Sequence, residues 1–355
     1  MQFLRQVDPS GKSVLVRLDL DLPRAVDGMF DTTRLEAGFE TLINLWQRKA
    51  KNVTVIAHRG HEPEKSLDFS LEPIAELLYE GLLRQPTMGG FDNQQLRSWL
   101  VVKENLRFDA REEEGSLAYA QELAAGHDLF VNDAFATAHR KHTSIVMLPK
   151  VLPTVFGFQF EQEMKAFSRV LNEPARPFTF ILGGAKLETK LPLLEKMAEL
   201  VDQILVGGKL AVEAKQSQLT YGEALKQKMI VAEVTTDTLD ISEAAGADFC
   251  SKIQAAQTVV WNGPMGKFEE ESHRTGTKIV ADAVIEATQN GAFSLIGGGD
   301  TESALTLLEL EKPGNFSHIS SGGGAMMHYL AYRSLPAIEA AEEAHSAVES
   351  TSTAA

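Results

Sequence analysis

Cysteine is nearly absent from this 355-residue chain, where Cys250 stands alone. A single thiol excludes an intramolecular disulfide framework and any multi-thiolate zinc or iron–sulfur site. No apolar run approaches the roughly 18 residues of a membrane-spanning helix. Met1–Arg17 lacks the pattern of a secretory signal, so a cytoplasmic protein is expected. Positive charge is scarce too: 34 Lys and Arg stand against 49 Asp and Glu, a net charge of −15. Nucleic-acid and anionic-membrane binders carry the opposite balance, so neither partner is expected. Any anionic substrate must then be held by a local cluster of cations. Two nucleotide signatures are also missing. No G-x-x-x-x-G-K-[ST] element occurs, and the two nearest approaches to G-x-G-x-x-G place Glu302 and Met327 where the last glycine is required. This argues against P-loop and dehydrogenase readings.

What is present is an alternation of short β-branched runs with amphipathic stretches, the pattern of an α/β protein with parallel sheets. Strands are expected at Ser13–Leu20, Val53–Ala57, Trp99–Lys103 and Asp128–Val131. A second series is expected at Phe178–Leu182, Gln203–Val206, Thr258–Trp261, Phe293–Ile296 and Phe316–Ser320. The length suits two domains. The division reads as a first domain over 1–155, a helical connector over 156–177 and a second domain over 178–320. A segment over 321–340 and a flexible tail over 341–355 follow.

Ligands of open parallel sheets bind beyond the carboxyl ends of the strands, and the two halves carry different chemistry there. The first half ends its strands in polar and basic groups: Arg17, Asp19 and Asp21; His58, Arg59 and His61; Arg107; and His139 with Arg140. With Arg34 near the first strand, converging Arg17, Arg34, Arg107 and Arg140 would form an anion site of guanidinium forks. The second half ends its strands in glycine, at Gly183-Gly184, Gly207-Gly208, Asn262-Gly263, Gly297-Gly298-Gly299 and Gly322-Gly323-Gly324. Such turns let backbone amides approach phosphate closely, with a helix N-terminus behind each. Asp300 is placed to hold Mg²⁺ against phosphate oxygens, and Lys186 and Lys190, four apart, would share a helix face beside a transferring phosphoryl group. An anion site, a nucleotide site and a connector describe a hinge-closing phosphotransferase.

Other features read as structural. His139 and His142 lack a suitably spaced partner carboxylate for a metal. Cys250 reads as a buried core thiol, and Trp46, Trp99 and Trp261 as packing residues. The acidic run Glu112–Glu114 reads as a solvated helix start.

These blocks resemble the phosphoglycerate kinase family over nearly the whole chain. The match rests on Val16-Arg17-Leu18-Asp19-Leu20-Asp21-Leu22-Pro23, Asp31-Thr32-Thr33-Arg34, Glu104-Asn105-Leu106-Arg107-Phe108 and Asn132-Asp133-Ala134-Phe135-Ala136-Thr137-Ala138-His139-Arg140. It continues at Leu182-Gly183-Gly184-Ala185-Lys186, Trp261-Asn262-Gly263-Pro264-Met265-Gly266, Gly298-Gly299-Asp300-Thr301 and Gly322-Gly323-Gly324-Ala325. The resemblance implies two Rossmann-like three-layer domains joined by a hinge helix, with the segment over 321–340 packing back towards the first. It also implies phosphoryl transfer between Mg-ATP and the carboxylate of 3-phosphoglycerate by a cytoplasmic monomer acting on small molecules. Asp19, Asp21, Arg34, His58, His61, Arg107 and Arg140 would bind phosphoglycerate. Gly183, Gly184, Lys190, Gly208, Asn262, Glu269, Gly298, Gly299, Asp300 and Thr301 would bind the nucleotide, with Asp300 serving the metal. Arg34, Lys186, Lys190, Gly323 and Gly324 would act on the transferring group.

The chain departs from the family pattern at Asp21, usually Asn, and at His61, usually Arg, with Arg59 as a candidate substitute. It also departs at Lys209, usually Gly, and is several dozen residues short between Tyr221 and Ile241, where a helix and a strand are expected to be missing. These departures frame an alternative: a non-catalytic or weakly active homologue that binds a nucleotide or metabolite as a regulatory or scaffold protein.

Overall fold

The computed structural model describes residues 1–23, 28–60, 66–88, 92–217 and 220–352. Two units emerge. The first comprises Met1–Met164 with Ser334–Ala355, the second Lys165–Arg333. The division falls inside the helix Phe158–Leu171. Ser321–Arg333 groups with the second unit, carrying the helix Gly323–Tyr332. A helix, Pro336–Ser352, runs through most of the segment that follows.

The first unit is built on β1 (Ser13–Arg17), β2 (Asn52–Ile56), β3 (Leu100–Val102), β4 (Leu129–Asn132) and β5 (Thr154–Phe156), all parallel in the order β3-β2-β1-β4-β5. Buried on both faces, β1 reads as an unbroken apolar run up to Arg17. The winding direction reverses between β1 and β4, where Arg17 lies in register with Asn132, so the switch point sits at the basic crest.

The second unit holds β6 (Phe178–Leu182), β7 (Gln203–Val206), β8 (Met229–Val231), β9 (Thr258–Asn262), β10 (Phe293–Gly297) and β11 (His318–Ser320). They are parallel in the order β11-β10-β9-β6-β7-β8. Its switch point lies between β6 and β9, at the glycine-rich turns.

The shortened stretch after Tyr221 carries a short helix, Glu223–Lys228, and an edge strand, β8, whose apolar Met-Ile-Val run pairs with β7. Two expectations fail for physical reasons. Glu112 is not solvated. It is fully buried, because its carboxylate accepts from both the amide and the hydroxyl of Ser144, and that hydroxyl in turn accepts from Arg17. Cys250 is only half-buried, at the margin of the second core. The tryptophans do pack: Trp46 and Trp99 meet edge to face at 5.4 Å, and fully buried Trp261 donates to the Gly263 carbonyl.

One buried carboxylate fixes the start of the helix Phe158–Leu171. Asp133 Oδ1 accepts from the Phe160 amide at 3.0 Å, and Oδ2 accepts from the Thr41 hydroxyl at 2.6 Å. Gly157 leaves it room, since a Cβ there would strike the carboxylate. Burial raises this carboxyl to about 6 against these hydrogen bonds. Its folded value thus exceeds the unfolded one, so its contribution is full below about pH 4 and lost as pH rises through about 6. The stability of the protein relative to Asp133→Asn, measured by urea titration, should therefore fall by about 2 kcal/mol between pH 4 and pH 7. A difference that is constant with pH would contradict this.

Candidate active site

In the first unit, the ends of β1, β2 and β4 bring cations together around a buried guanidinium. Arg17 is fully buried. It donates through Nε to Ser144 Oγ at 2.7 Å and through Nη1 to Thr137 Oγ1, and Nη2 lies 3.4 Å from His58 Nδ1. Burial lowers its pKa to about 10, which leaves it charged at neutral pH, with Glu112 and Asp19 as counter-charges. Arg17 therefore belongs to the frame of the anion site rather than to its surface.

Around it stand the residues expected to meet substrate. Arg107, nearly buried, donates to the Gly60 carbonyl and has Nε 3.4 Å from Glu113 Oε1. Arg140 is half-buried and close enough to disfavour charge on Arg17, Arg107 and His58. Arg34 donates to the Asp21 carbonyl at 3.2 Å and lies 3.8 Å from Asp19 Oδ2. Burial raises the Asp19 carboxyl, with Arg34 opposing the shift, and Oδ2 has no hydrogen bond among the described residues. Asp21 Oδ1 accepts from the Gly60 amide at 2.9 Å, while Oδ2 lies 3.8 Å from His58 Nε2. Gly60 is obligatory at this turn: its φ is +73° and a Cβ would collide with Phe69.

Both histidines here are neutral. His58 is held well below its ordinary value by burial, then by Arg17, Arg107 and Arg140. His142 is lowered to about 4 by burial and the same guanidiniums. With Arg17 donating to Nδ1, His58 carries its proton on Nε2 and presents a hydrogen-bond donor.

Two sequence expectations need correction or qualification here. Arg59 cannot substitute for a phosphate-binding arginine: its side chain is buried, bonded to the Ser70 carbonyl at 3.0 Å and stacked 4.8 Å over Phe30. His61 lies outside the described residues.

In the second unit most of the expected glycines serve backbone packing. The amides of Gly183, Gly184 and Gly208 donate to the carbonyls of Asn262, Pro264 and Met265. A Cβ at Gly183 or Gly208 would strike the Pro264 carbonyl, and one at Gly323 the Gly298 backbone. The N-terminus behind Gly183-Gly184 is also taken. Glu213 accepts from the amides of Lys186 and Leu187, at 3.3 and 2.6 Å, and so caps the helix Leu187–Leu200 where a phosphate would otherwise sit. Lys186 is exposed with φ +68°, one residue before that helix, so it does not share a helical face with Lys190.

Phosphate-binding capacity therefore concentrates at two other helices, Gly299–Leu307 and Gly323–Tyr332, whose first-turn amides have no acceptor within their own helix. Asn262 and Thr301 fix the turn between them: Asn262 Nδ2 donates to the Gly297 carbonyl at 2.8 Å, and Thr301 Oγ1 accepts from the Gly263 amide at 2.7 Å. Gly298, Gly323 and Gly324 line a cavity of ≈ 400 Å³ with Asn262 and Lys190. Lys190 Nζ donates to the Gly183 carbonyl at 3.0 Å. Burial lowers its pKa, while Asp300 and Glu213 oppose the shift.

A second cavity of ≈ 400 Å³ is lined by Leu239, Phe268, Pro264 and Val212, with Glu269, Lys209, Lys267 and Asp300 as its charged groups. Apolar walls with a few charges suit a nucleoside. Gly299 and Asp300 are exposed at the first turn of their helix, and a Cβ at Gly299 would meet open space.

Several contributors escape local reading: Glu112, Ser144 and Thr137 around Arg17, and Glu213 beside Lys190. Only their tertiary partners reveal them. His142 carried a signal, its spacing from His139, but burial and the neighbouring guanidiniums make it a neutral ring. Among the described residues no cluster of three or more His, Cys, Asp or Glu could hold a metal.

Comparison with known proteins identifies relatives along nearly the whole chain. The family model "Phosphoglycerate kinase" matches residues 4–237 and 214–333. A phosphoglycerate kinase of Rubrobacter xylanophilus is 36% identical over 384 residues, covering 94% of this chain and 96% of the relative. One of Chloroflexus aurantiacus is 33% identical over 397 residues, covering 96% and 98%. That alignment is longer than this chain, so the relative carries segments absent here. The solved phosphoglycerate kinases of Coxiella burnetii and Pyrococcus horikoshii OT3 superpose with TM-scores of 0.77 and 0.79, at 28% and 26% identity. They cover 96% and 98% of this chain, and 98% and 100% of theirs. On family match, relatives and fold together, the chain belongs to the phosphoglycerate kinase family.

Proposed function

We infer that this chain catalyses the glycolytic reaction of its family, reversible phosphoryl transfer between ATP and the carboxylate of 3-phosphoglycerate, giving 1,3-bisphosphoglycerate and ADP. The carrying observation is the pair of chemically distinct crests at the two switch points. One gathers guanidiniums, and the other joins two helix N-termini to Lys190 and Asp300.

We propose that Arg107, Arg140 and Arg34 hold the phosphate and carboxylate groups of phosphoglycerate. His58 contributes a neutral N–H donor, and Asp19 Oδ2 an acceptor for the substrate hydroxyl. The nucleoside occupies the cavity walled by Leu239 and Phe268, with Glu269 as acceptor for ribose hydroxyls. Its phosphates meet the amides at Gly298–Thr301 and Gly323–Gly324.

The attacking carboxylate is already ionised, so no general base is needed. Its oxygen forms a bond to the γ-phosphorus while the bond to the bridging oxygen breaks, and the electron pair leaves on ADP. Lys190 neutralises charge that develops on the equatorial oxygens, and burial strengthens its field. Mg²⁺ fits this site: Asp300 is an exposed carboxylate on the phosphate turn, and Mg²⁺ is usually held by one or two carboxylates completed by substrate oxygens. When bound with the nucleotide it would neutralise phosphate charge. Lys186, exposed beside the capped helix, acts at longer range.

No observation favours the non-catalytic alternative. Among the described residues no helix is long and apolar enough to cross a membrane.

The direct test is an initial-rate assay with 3-phosphoglycerate, ATP and Mg²⁺. ADP formation should require both substrates, and its absence at saturating concentrations would overturn the reading. Lys190→Met should lower kcat by about 10²–10³-fold with little change in the KM for phosphoglycerate. Arg140→Met should raise that KM by about tenfold or more and leave the KM for ATP unchanged. Equal effects of the two variants on both parameters would contradict the division of labour. Asp21→Asn keeps an acceptor for the Gly60 amide and removes a negative charge, so it should lower the KM for phosphoglycerate severalfold; an unchanged or raised KM would contradict that role.

A further inference from the structure

One titratable cluster outside the transfer machinery ties together two loops that line the nucleoside cavity. The imidazole of His273, 13% exposed, stands between two carboxylates. Its Nε2 lies 2.8 Å from Asp237 Oδ2 and its Nδ1 3.0 Å from Glu270 Oε2. Two ring nitrogens each facing a carboxylate oxygen describe an imidazolium that donates twice. Asp237 in turn shapes the first loop, because its Oδ1 accepts from the Thr235 hydroxyl at 2.6 Å and the Leu239 amide at 3.1 Å. Thr238 follows with φ +64°, a conformation that needs such support. Glu270 closes the second loop and accepts from Lys267. The loops also join through the Lys267 amide, which donates to the Leu239 carbonyl at 2.8 Å. Thr238 and Leu239 from the first loop, and Lys267, Phe268 and Glu269 from the second, line the same cavity.

The remaining groups around His273 leave an excess of negative charge. Asp240 faces it from the first loop, where its carboxylate also accepts from the Ile241 and Gly276 amides. Lys267 is engaged by Glu270, the Ser272 hydroxyl lies 3.1 Å from Nδ1, and Arg274 turns back to the carbonyls of Phe268 and Glu269. Hydrogen bonding to Asp237 raises the His273 pKa, and the Thr235 hydroxyl and His273 hold the Asp237 carboxyl down to about 2.

We propose that His273 is a positioning residue for the nucleotide: its imidazolium latches the loop 235–240 to the loop 267–270 and keeps the nucleoside cavity in its binding form. This rests on the reading of that cavity as the nucleotide site. A raised folded value means that the latch is complete below the ordinary histidine pKa and is lost as pH rises through the raised one. Above it, Asp237 and Glu270 face each other without a cation between them.

The test is calorimetric titration of ADP into the full-length protein and into His273→Gln from pH 6 to pH 9, with the two compared at each pH so that ionisation of ADP cancels. In parallel, hydrogen exchange of the Lys267 amide is followed without nucleotide. The protein should bind ADP about three- to fivefold more tightly than His273→Gln at pH 6, and equally at pH 9. Protection of the Lys267 amide should fall over the same range in the protein and stay low in the variant. An affinity ratio that is constant with pH, or Lys267 protection unaffected by the substitution, would overturn the latch. Absence of ADP binding at every pH would overturn the nucleotide reading of the cavity itself, and this inference with it.

Discussion

The first unit depends on the placement of Arg17, a charge with no access to water. An isolated ion at that depth is prohibitively costly, so its surroundings are dictated: a carboxylate counter-charge at Glu112, relayed by Ser144, and acceptors at Thr137 and His58. These partners fix the turns that carry Arg107, Arg140 and His58. An acidic protein thereby keeps a cationic surface in one place. Burial, reinforced by the same guanidiniums, holds the two histidines neutral, so neither adds positive charge to this crest. That choice suits phosphate and carboxylate ligands, which guanidinium forks bind bidentately.

In the proposed function the second unit would bind anions with backbone rather than side chains. Its turns pass so close that Gly183, Gly208 and Gly323 have no room for a side chain, and this packing brings the starts of two helices towards one cavity. Glu213 plugs a third helix start and, with Asp300, supports the charge on partly buried Lys190. In the proposed transfer, one cation on a rigid backbone frame would act electrostatically, because its surrounding dipoles need not reorganise.

How much of this could be read in the sequence follows from the range of the interactions. The parallel α/β alternation, the apolar strands that end in Arg17 or glycine, and the basic and glycine-rich crests are local patterns, and they stand in the structure as read. β5 and β8 are not among the expected strands, although the equally short β3 and β11 are. Glu112 looked solvated because burial of a carboxylate is decided by a distant arginine. Lys186 and Lys190 looked paired because helix starts are uncertain by a residue or two, and here Lys186 itself stands in the left-handed region just before the helix. The glycines announced close approach, but not whether the approaching atom would be a phosphate or the Pro264 carbonyl.

The claim that guanidinium rather than imidazolium charge forms the anion site is open to one direct measurement, the ¹⁵N ring shifts of His58 and His142 as pH is lowered from 8 to 5. The account predicts that both rings stay neutral over this range and that His58 carries its proton on Nε2, facing away from Arg17. A ring that titrates at or above the ordinary histidine value, or a His58 protonated on Nδ1 while neutral, would contradict it.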